Sequence, residues 1–164
     1  MSTTVLPAVI NYLVDVFTAA PTIGAATPPI TVYDGPQAID PGELTKALYV
    51  AVDNPGVGDG ASIGPVAAEL SWQWAGLGAQ RRYELFSVAC TAVCVDPNSN
   101  LRTARQGCMD IFAAVDAVLV PGDVSLGNQV VFITGLSQGQ LRTEQFDIGA
   151  VSWFTFAVEA KSRI

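Results

Sequence analysis

Between residues 4 and 20 the apolar positions recur every three or four residues. Val5, Leu6, Val9, Ile10, Leu13, Val16 and Phe17 share one side, and Asn11, Asp15 and Thr18 the other. That spacing predicts an amphipathic helix. Thr4 can cap it, Pro7 falls in the first turn where its missing N–H costs little, and Pro21 ends it. Residues 22–29 are small and interrupted by Pro and Gly, and read as a connector to a short strand at 30–33.

After a turn-rich stretch at 34–42 the period changes to two. Leu48, Val50 and Val52 alternate with less apolar neighbours as a strand. Residues 54–65 are the most glycine-rich part of the chain and predict an exposed loop. Leu70, Trp72 and Trp74 then alternate with Glu69, Ser71 and Gln73, the pattern of a half-buried strand, and Gly76 and Gly78 turn the chain.

Residues 82–95 are the longest strand candidate. Tyr83, Leu85, Ala89, Val93 and Val95 fall on one face, and Phe86, Val88, Cys90, Ala92 and Cys94 on the other. A strand apolar on both faces is covered on both. A second helix is predicted over 99–120, capped by Asn98, Ser99 or Asn100. Its stripe is Leu101, Ala104, Cys108, Ile111, Phe112, Val115, Val118 and Leu119, and Pro121-Gly122 closes it. Two strands follow, over 128–136 and 149–160, the last apolar on both faces. The chain shows no internal repeat and reads as one domain. This order predicts an α+β fold, a mainly antiparallel sheet with two principal helices on one face.

Composition adds a need for cover. Of the 164 residues 50% are hydrophobic and only 14% charged, against about 25% charged in an average soluble domain. Oligomerisation is the simplest cover for such an exterior. Eight Lys plus Arg against fifteen Asp plus Glu give a net charge of -7, which opposes tight binding to a phosphate backbone. The N-terminus lacks the basic start of a secretory signal, and no stretch reads as a membrane span. The three cysteines, Cys90, Cys94 and Cys108, are an odd count without a single histidine. They are expected as reduced core thiols.

The candidate chemistry is thin. Gly135-Leu136-Ser137-Gln138-Gly139 fits the G-x-S-x-G nucleophile elbow and follows an apolar run. A serine triad needs a base, however, and the chain has no histidine. Lys46 and Lys161 leave a Ser-Lys pair formally open, yet neither falls in a motif, and no amphipathic helix follows Gly139. Gly56-Val57-Gly58-Asp59-Gly60-Ala61 matches a loose dinucleotide fingerprint. Ser62-Ile63-Gly64-Pro65 does not open a helix, and Asp59 would stand where a pyrophosphate rests. Contact with a partner is the expectation for this loop. Carboxylates are scattered rather than paired. Arg102 and Arg105 open the second helix, where the dipole disfavours cations, and are expected to be solvated. Trp72 and Trp74 could wall a small-ligand pocket, but two aromatics on one strand face are more often core.

The strand opening Ala79-Gln80-Arg81-Arg82-Tyr83-Glu84-Leu85-Phe86-Ser87-Val88, then Arg102-Thr103-Ala104, then the helix end Val115-Asp116-Ala117-Val118-Leu119, resembles the tail terminator (tail completion) proteins of long-tailed bacteriophages. The resemblance covers most of the chain and rests on arrangement. It implies a structural, non-enzymatic subunit without cofactor, made in the host cytoplasm and carried in the neck of the virion. It further implies a hexameric ring that stops the tail tube, meets the tube protein and the head-completion protein, and lets DNA through without specific binding. A head-tail connector stopper is the near alternative, and a hydrolase using Ser137 the distant one. Candidate interface residues are Asp59, Arg81, Arg82, Arg102, Arg105, Gln138, Gln140 and Arg142. The segment 137–142 is expected as a contact loop or strand extension, and Ser137→Ala as nearly silent.

Overall fold

A computed structural model describes residues 4–35, 45–52, 68–74, 82–119 and 131–163. The first helical pattern becomes α1 (Leu6–Ala19), which buries Val9, Leu13 and Phe17. Its N-terminus is held from outside the helix: Thr4 Oγ1 accepts the Leu6 N–H at 3.2 Å. Pro21 ends α1 as expected and also starts a single further turn, α2 (Pro21–Gly24), where a connector was expected. Proline is suited to a first helical position, and buried Ile23 pins the turn to the core.

Six strands follow the predicted order around one more helix. They are β1 (Ile30–Asp34), β2 (Thr45–Val50), β3 (Ala68–Trp74), β4 (Arg82–Asp96), β5 (Val131–Phe146) and β6 (Gly149–Arg163), with α3 (Leu101–Leu119) between β4 and β5. They form one α+β sheet in the order β1-β2-β4-β6-β5, with β3 also paired to β4. Only β1 and β2 run parallel. Strand β4 serves two short partners end to end along one edge: β3 against residues 82–88 and β2 against 90–95. Its other edge pairs with β6 from Tyr83↔Arg163 to Asp96↔Ala150.

The helices cover one face. Leu48, Val50, Phe86, Val88, Cys90, Ala92, Phe156 and Val158 meet Val9, Leu13 and Phe17 of α1 and Ile111, Val115 and Leu119 of α3. Each of the buried phenylalanines Phe17, Phe86 and Phe156 contributes roughly 1.5–3 kcal/mol by leaving water. Ala47, Tyr49, Val93, Val95, Val151 and Trp153 form a second buried cluster on the opposite face. Hence β2 is buried from Lys46 through Val50 rather than alternating, because its two faces join different clusters. Burial, reinforced by neighbouring Tyr33, lifts the Tyr49 phenol well above its usual range.

Capping of α3 falls to Asn100, whose Oδ1 accepts the Arg102 and Thr103 N–H groups at 3.1 and 3.2 Å. Leu101, placed on the apolar stripe by spacing, is exposed, because the helix reaches the sheet only from Ala104 onward. Gly107 lies on that contact. A methyl group there would run into Cys94 Sγ, so the glycine sets how closely α3 approaches β4.

Two expectations change on the sheet. Strand β5 does not stop near residue 136 but continues to Phe146, past two register irregularities. The segment 137–142 is therefore a strand extension, the second of the two forms expected for it. The Asp147-Ile148 turn carries the chain into β6, where Gly149, at φ +124°, backs onto the main chain of Asp96 and Pro97. Trp72 is not core either. It is 56% exposed, and its indole N–H reaches the Glu84 carboxylate at 3.3 Å. The side chain of Trp74 lies outside the described residues.

Gly107→Ala is expected to lower stability by about 1–3 kcal/mol through overpacking, and Cys94→Ala in the same chain to recover most of that loss. Denaturant midpoints of the two single variants and the double variant measure the coupling.

Candidate interaction site on the edge strand

The residues singled out from sequence separate into three places. Asp59 and Arg81 lie outside the described residues. Arg82 begins β4 and sits over the Trp72 ring, 5.3 Å from its centroid, a cation–π contact. Arg102 and Arg105 are exposed on the first turns of α3, and Arg105 Nε donates back to the Leu101 carbonyl at 3.2 Å. Gln138, Gln140 and Arg142 come together on β5, all three exposed.

Strand β5 is the end of the sheet. Among the described residues it pairs with β6 and with no other strand. An outer strand presents unpaired backbone N–H and C=O groups and is a template for another chain. Large apolar side chains stand exposed on it as well, Leu141 at 45% and Phe146 at 39%. The Phe146 ring meets Trp153 edge-on at 5.9 Å, and the Arg142 guanidinium lies 5.7 Å from the Trp153 centroid. Trp153 is buried, and its indole N–H has no acceptor among the described residues.

Where β5 bulges, a positive φ of 58° at Gln138 turns the chain beside a cleft of about 370 Å³ between β3 and β5. Glu69, Ser87, Gln138 and Glu159 line it on the face away from the helices. Ser137 Oγ donates to Glu159 Oε1 at 2.5 Å, and Ser87 Oγ to the same oxygen at 3.1 Å. The lysines that could have served as base are engaged elsewhere. Lys46 Nζ pairs with Asp110 at 3.4 Å, and Lys161 Nζ stands 3.9 Å from the centre of the Tyr83 ring. The serine hydroxyl is thus a positioned donor to a carboxylate. Ser137→Ala, expected from sequence to be nearly silent, would remove this one hydrogen bond to Glu159.

Sequence reasoning passed over two buried polar contacts. Glu84 is fully buried on the helix side of β4, and its carboxylate accepts from Thr4 Oγ1 at 3.3 Å, the Val5 N–H at 3.2 Å and Trp72 Nε1. A carboxylate at a helix N-terminus is favoured by the dipole, so Glu84 joins α1 to β3. Its one signal is its place in the alternation Glu84, Phe86, Val88, a charge in line with core residues. Lys46, also buried, borders a second cleft of about 430 Å³ with Cys94, Arg102 and Asp110.

The three cysteines are free and buried, as expected. Burial pushes the Cys90 thiol up to about 12, Cys94 to about 11 despite the lowering effect of Lys46, and Cys108 to about 12. Cys108 Sγ donates to the Ser152 carbonyl at 3.0 Å. Among the described residues no group of three or more Cys, Asp or Glu is placed to hold a metal ion, and no helix is long and apolar enough to cross a membrane. Compared with known proteins, the chain matches no family model and no curated sequence.

Ser137→Ala is expected to cost about 1 kcal/mol, the worth of one hydrogen bond, and to leave labelling by a serine-reactive probe at the background of the wild-type protein. Label lost on substitution would revive the hydrolase. The thiols give a pH dependence with a definite sign. Their folded pKa values lie above the ordinary value of 9.0, so the unfolded chain ionises first. Their contribution is complete below pH 9 and is lost as pH rises from about 9 toward 12. Melting curves across that range, compared with a Cys90→Ala variant, should show the variant losing less stability.

Proposed function

We propose that the chain is a structural virion subunit that assembles with copies of itself, caps the phage tail tube and joins it to the head-completion protein. The observation that carries the reading is strand β5. It is a sixteen-residue edge strand with exposed Leu141 and Phe146, and it bears the candidate contact residues Gln138, Gln140 and Arg142. Such an edge is normally shortened, charged or covered in a protein that stays alone. Low charge content supports the same reading, because assembly covers apolar exterior. The resemblance to tail terminators supplies the place of that assembly, a hexameric ring at the top of the tube.

In this role the protein performs no chemistry and needs no cofactor. The acidic balance, -7 overall, suits a channel that passes DNA without gripping phosphates. Arg102 and Arg105, exposed on the first turns of α3, offer positive points for acidic patches on the tube or head proteins.

Deletion of the gene in a phage that encodes it is expected to yield tails of uncontrolled length, seen by negative staining. Tails of normal length left unattached to heads would assign the stopper role instead. Light scattering on the purified protein is expected to show association, and a persistent monomer that never binds tails would end the proposal.

A further inference from the structure

The open edge of β5 is regular over only part of its length. Register shifts interrupt it between Ile133 and Gly135 and again between Ser137 and Gln140. Bulges of this kind twist an edge and discourage further pairing. From Gln140 to Phe146 the strand pairs with β6 without a break, and every residue there except Thr143 is exposed. Thr143 is the middle of that segment. Its two neighbours, Arg142 and Glu144, are the only charged residues in it and have opposite signs.

We propose that Gln140–Phe146 pairs antiparallel with the same segment of a second copy, about a twofold axis through Thr143. Such an axis stands perpendicular to the sheet and keeps faces together, so residues whose numbers sum to the same even value lie opposite each other. Arg142 then faces Glu144 of the second copy, and Glu144 faces its Arg142. Gln140 lies opposite Phe146, Leu141 opposite Gln145, and Thr143 opposite Thr143. Opposite charges and Thr-Thr pairs are favourable across antiparallel strands, and like charges directly opposite are unfavourable.

Charge selects this register. Centring the axis on Arg142 sets arginine against arginine, and centring it on Glu144 sets glutamate against glutamate. Centring on Thr143 also gives the segment its full overlap. The residues concerned are already arranged for it: Arg142, Glu144 and Phe146 lie opposite Trp153, Val151 and Gly149 of β6, all on the face away from the helices. The result is one sheet running through both copies, with the helices of both on the same side.

This contact is isologous and joins copies two at a time, so the head-to-tail contact that a ring requires must use surfaces other than residues 140–146 of β5. It rests on the reading of β5 as an assembly edge and is independent of the tail-capping role.

Charge reversal tests it on the full-length protein by concentration-dependent light scattering and sedimentation. Arg142→Glu and Glu144→Arg are each expected to weaken dimerisation by about tenfold or more, since two attractive pairs become repulsive. An equimolar mixture of the two variants is expected to recover association as a heterodimer, because an all-acidic edge then faces an all-basic one. Thr143→Cys provides a readout that leaves the charges intact. Under mild oxidation it should cross-link to a covalent dimer through the self-paired position, whereas Gln140→Cys should not. The proposal is overturned if the wild type associates but the mixture gains nothing and Thr143→Cys stays uncross-linked. That result leaves the assembly reading standing, whereas a strictly monomeric wild type removes both.

Discussion

The pairing of β4 with β6 is the interaction on which the rest of the molecule depends. It runs unbroken from Tyr83↔Arg163 to Asp96↔Ala150, longer than any other regular ladder in the sheet. Three of the other strands and α3 attach directly to one of these two strands, and β1 joins through β2. β2 and β3 share the far edge of β4, β5 adds to the far edge of β6, and α3 packs across both. Two long central strands that are apolar on both faces need cover on both. The helices supply one layer, and the cluster around Tyr49, Val93 and Trp153 fills part of the other face.

That face divides along the length of the strands. Toward Asp96 it is apolar and buried. Toward Arg82 it becomes polar and open, with Glu69, Ser87 and Glu159 around a cleft. Polar groups on the open half are mutually satisfied, as when two serine hydroxyls converge on one oxygen of Glu159. The same economy holds on the helix side, where one carboxylate, Glu84, answers a hydroxyl, a main-chain N–H and an indole. An unpaired buried carboxylate would be costly, and three donors make this one a connection between layers.

Most of the fold was legible because periodicity reports burial. The helices show their stripes, and β4 and β6 show apolar residues on both faces. The far half of β5 was not legible as strand for the same reason. Gln140, Leu141, Arg142, Thr143 and Glu144 have little apolar alternation because an edge strand exposed on both faces needs none; only the ladder to β6 makes it a strand. Trp72 was misjudged because an aromatic on an alternating pattern normally points to core, whereas here its N–H is drawn to Glu84 and its ring carries Arg82. The contacts of Glu84 with Thr4 and of Lys46 with Asp110 join residues 80 and 64 positions apart, a separation that no local pattern encodes. Of the candidate contact residues, three gathered on one edge, and their common strand was the part the sequence showed least clearly.

The tandem arrangement of β2 and β3 along one edge of β4 separates two regions of unequal cooperativity. β2 is embedded between both apolar clusters, so releasing it requires breaching the core. β3 has its ladder to residues 82–88 and the Trp72–Glu84 bond, and its residues from Ala68 to Gln73 are all half-buried or exposed. Regions with few buried apolar contacts open at a fraction of the global free energy. Strand β3, with only Ala68 and Leu70 packed against the core, is therefore expected to open at a lower free energy than the β4–β6 spine. The sheet thus divides into a deeply buried frame and a shallower margin, tied to each other through the Trp72–Glu84 bond.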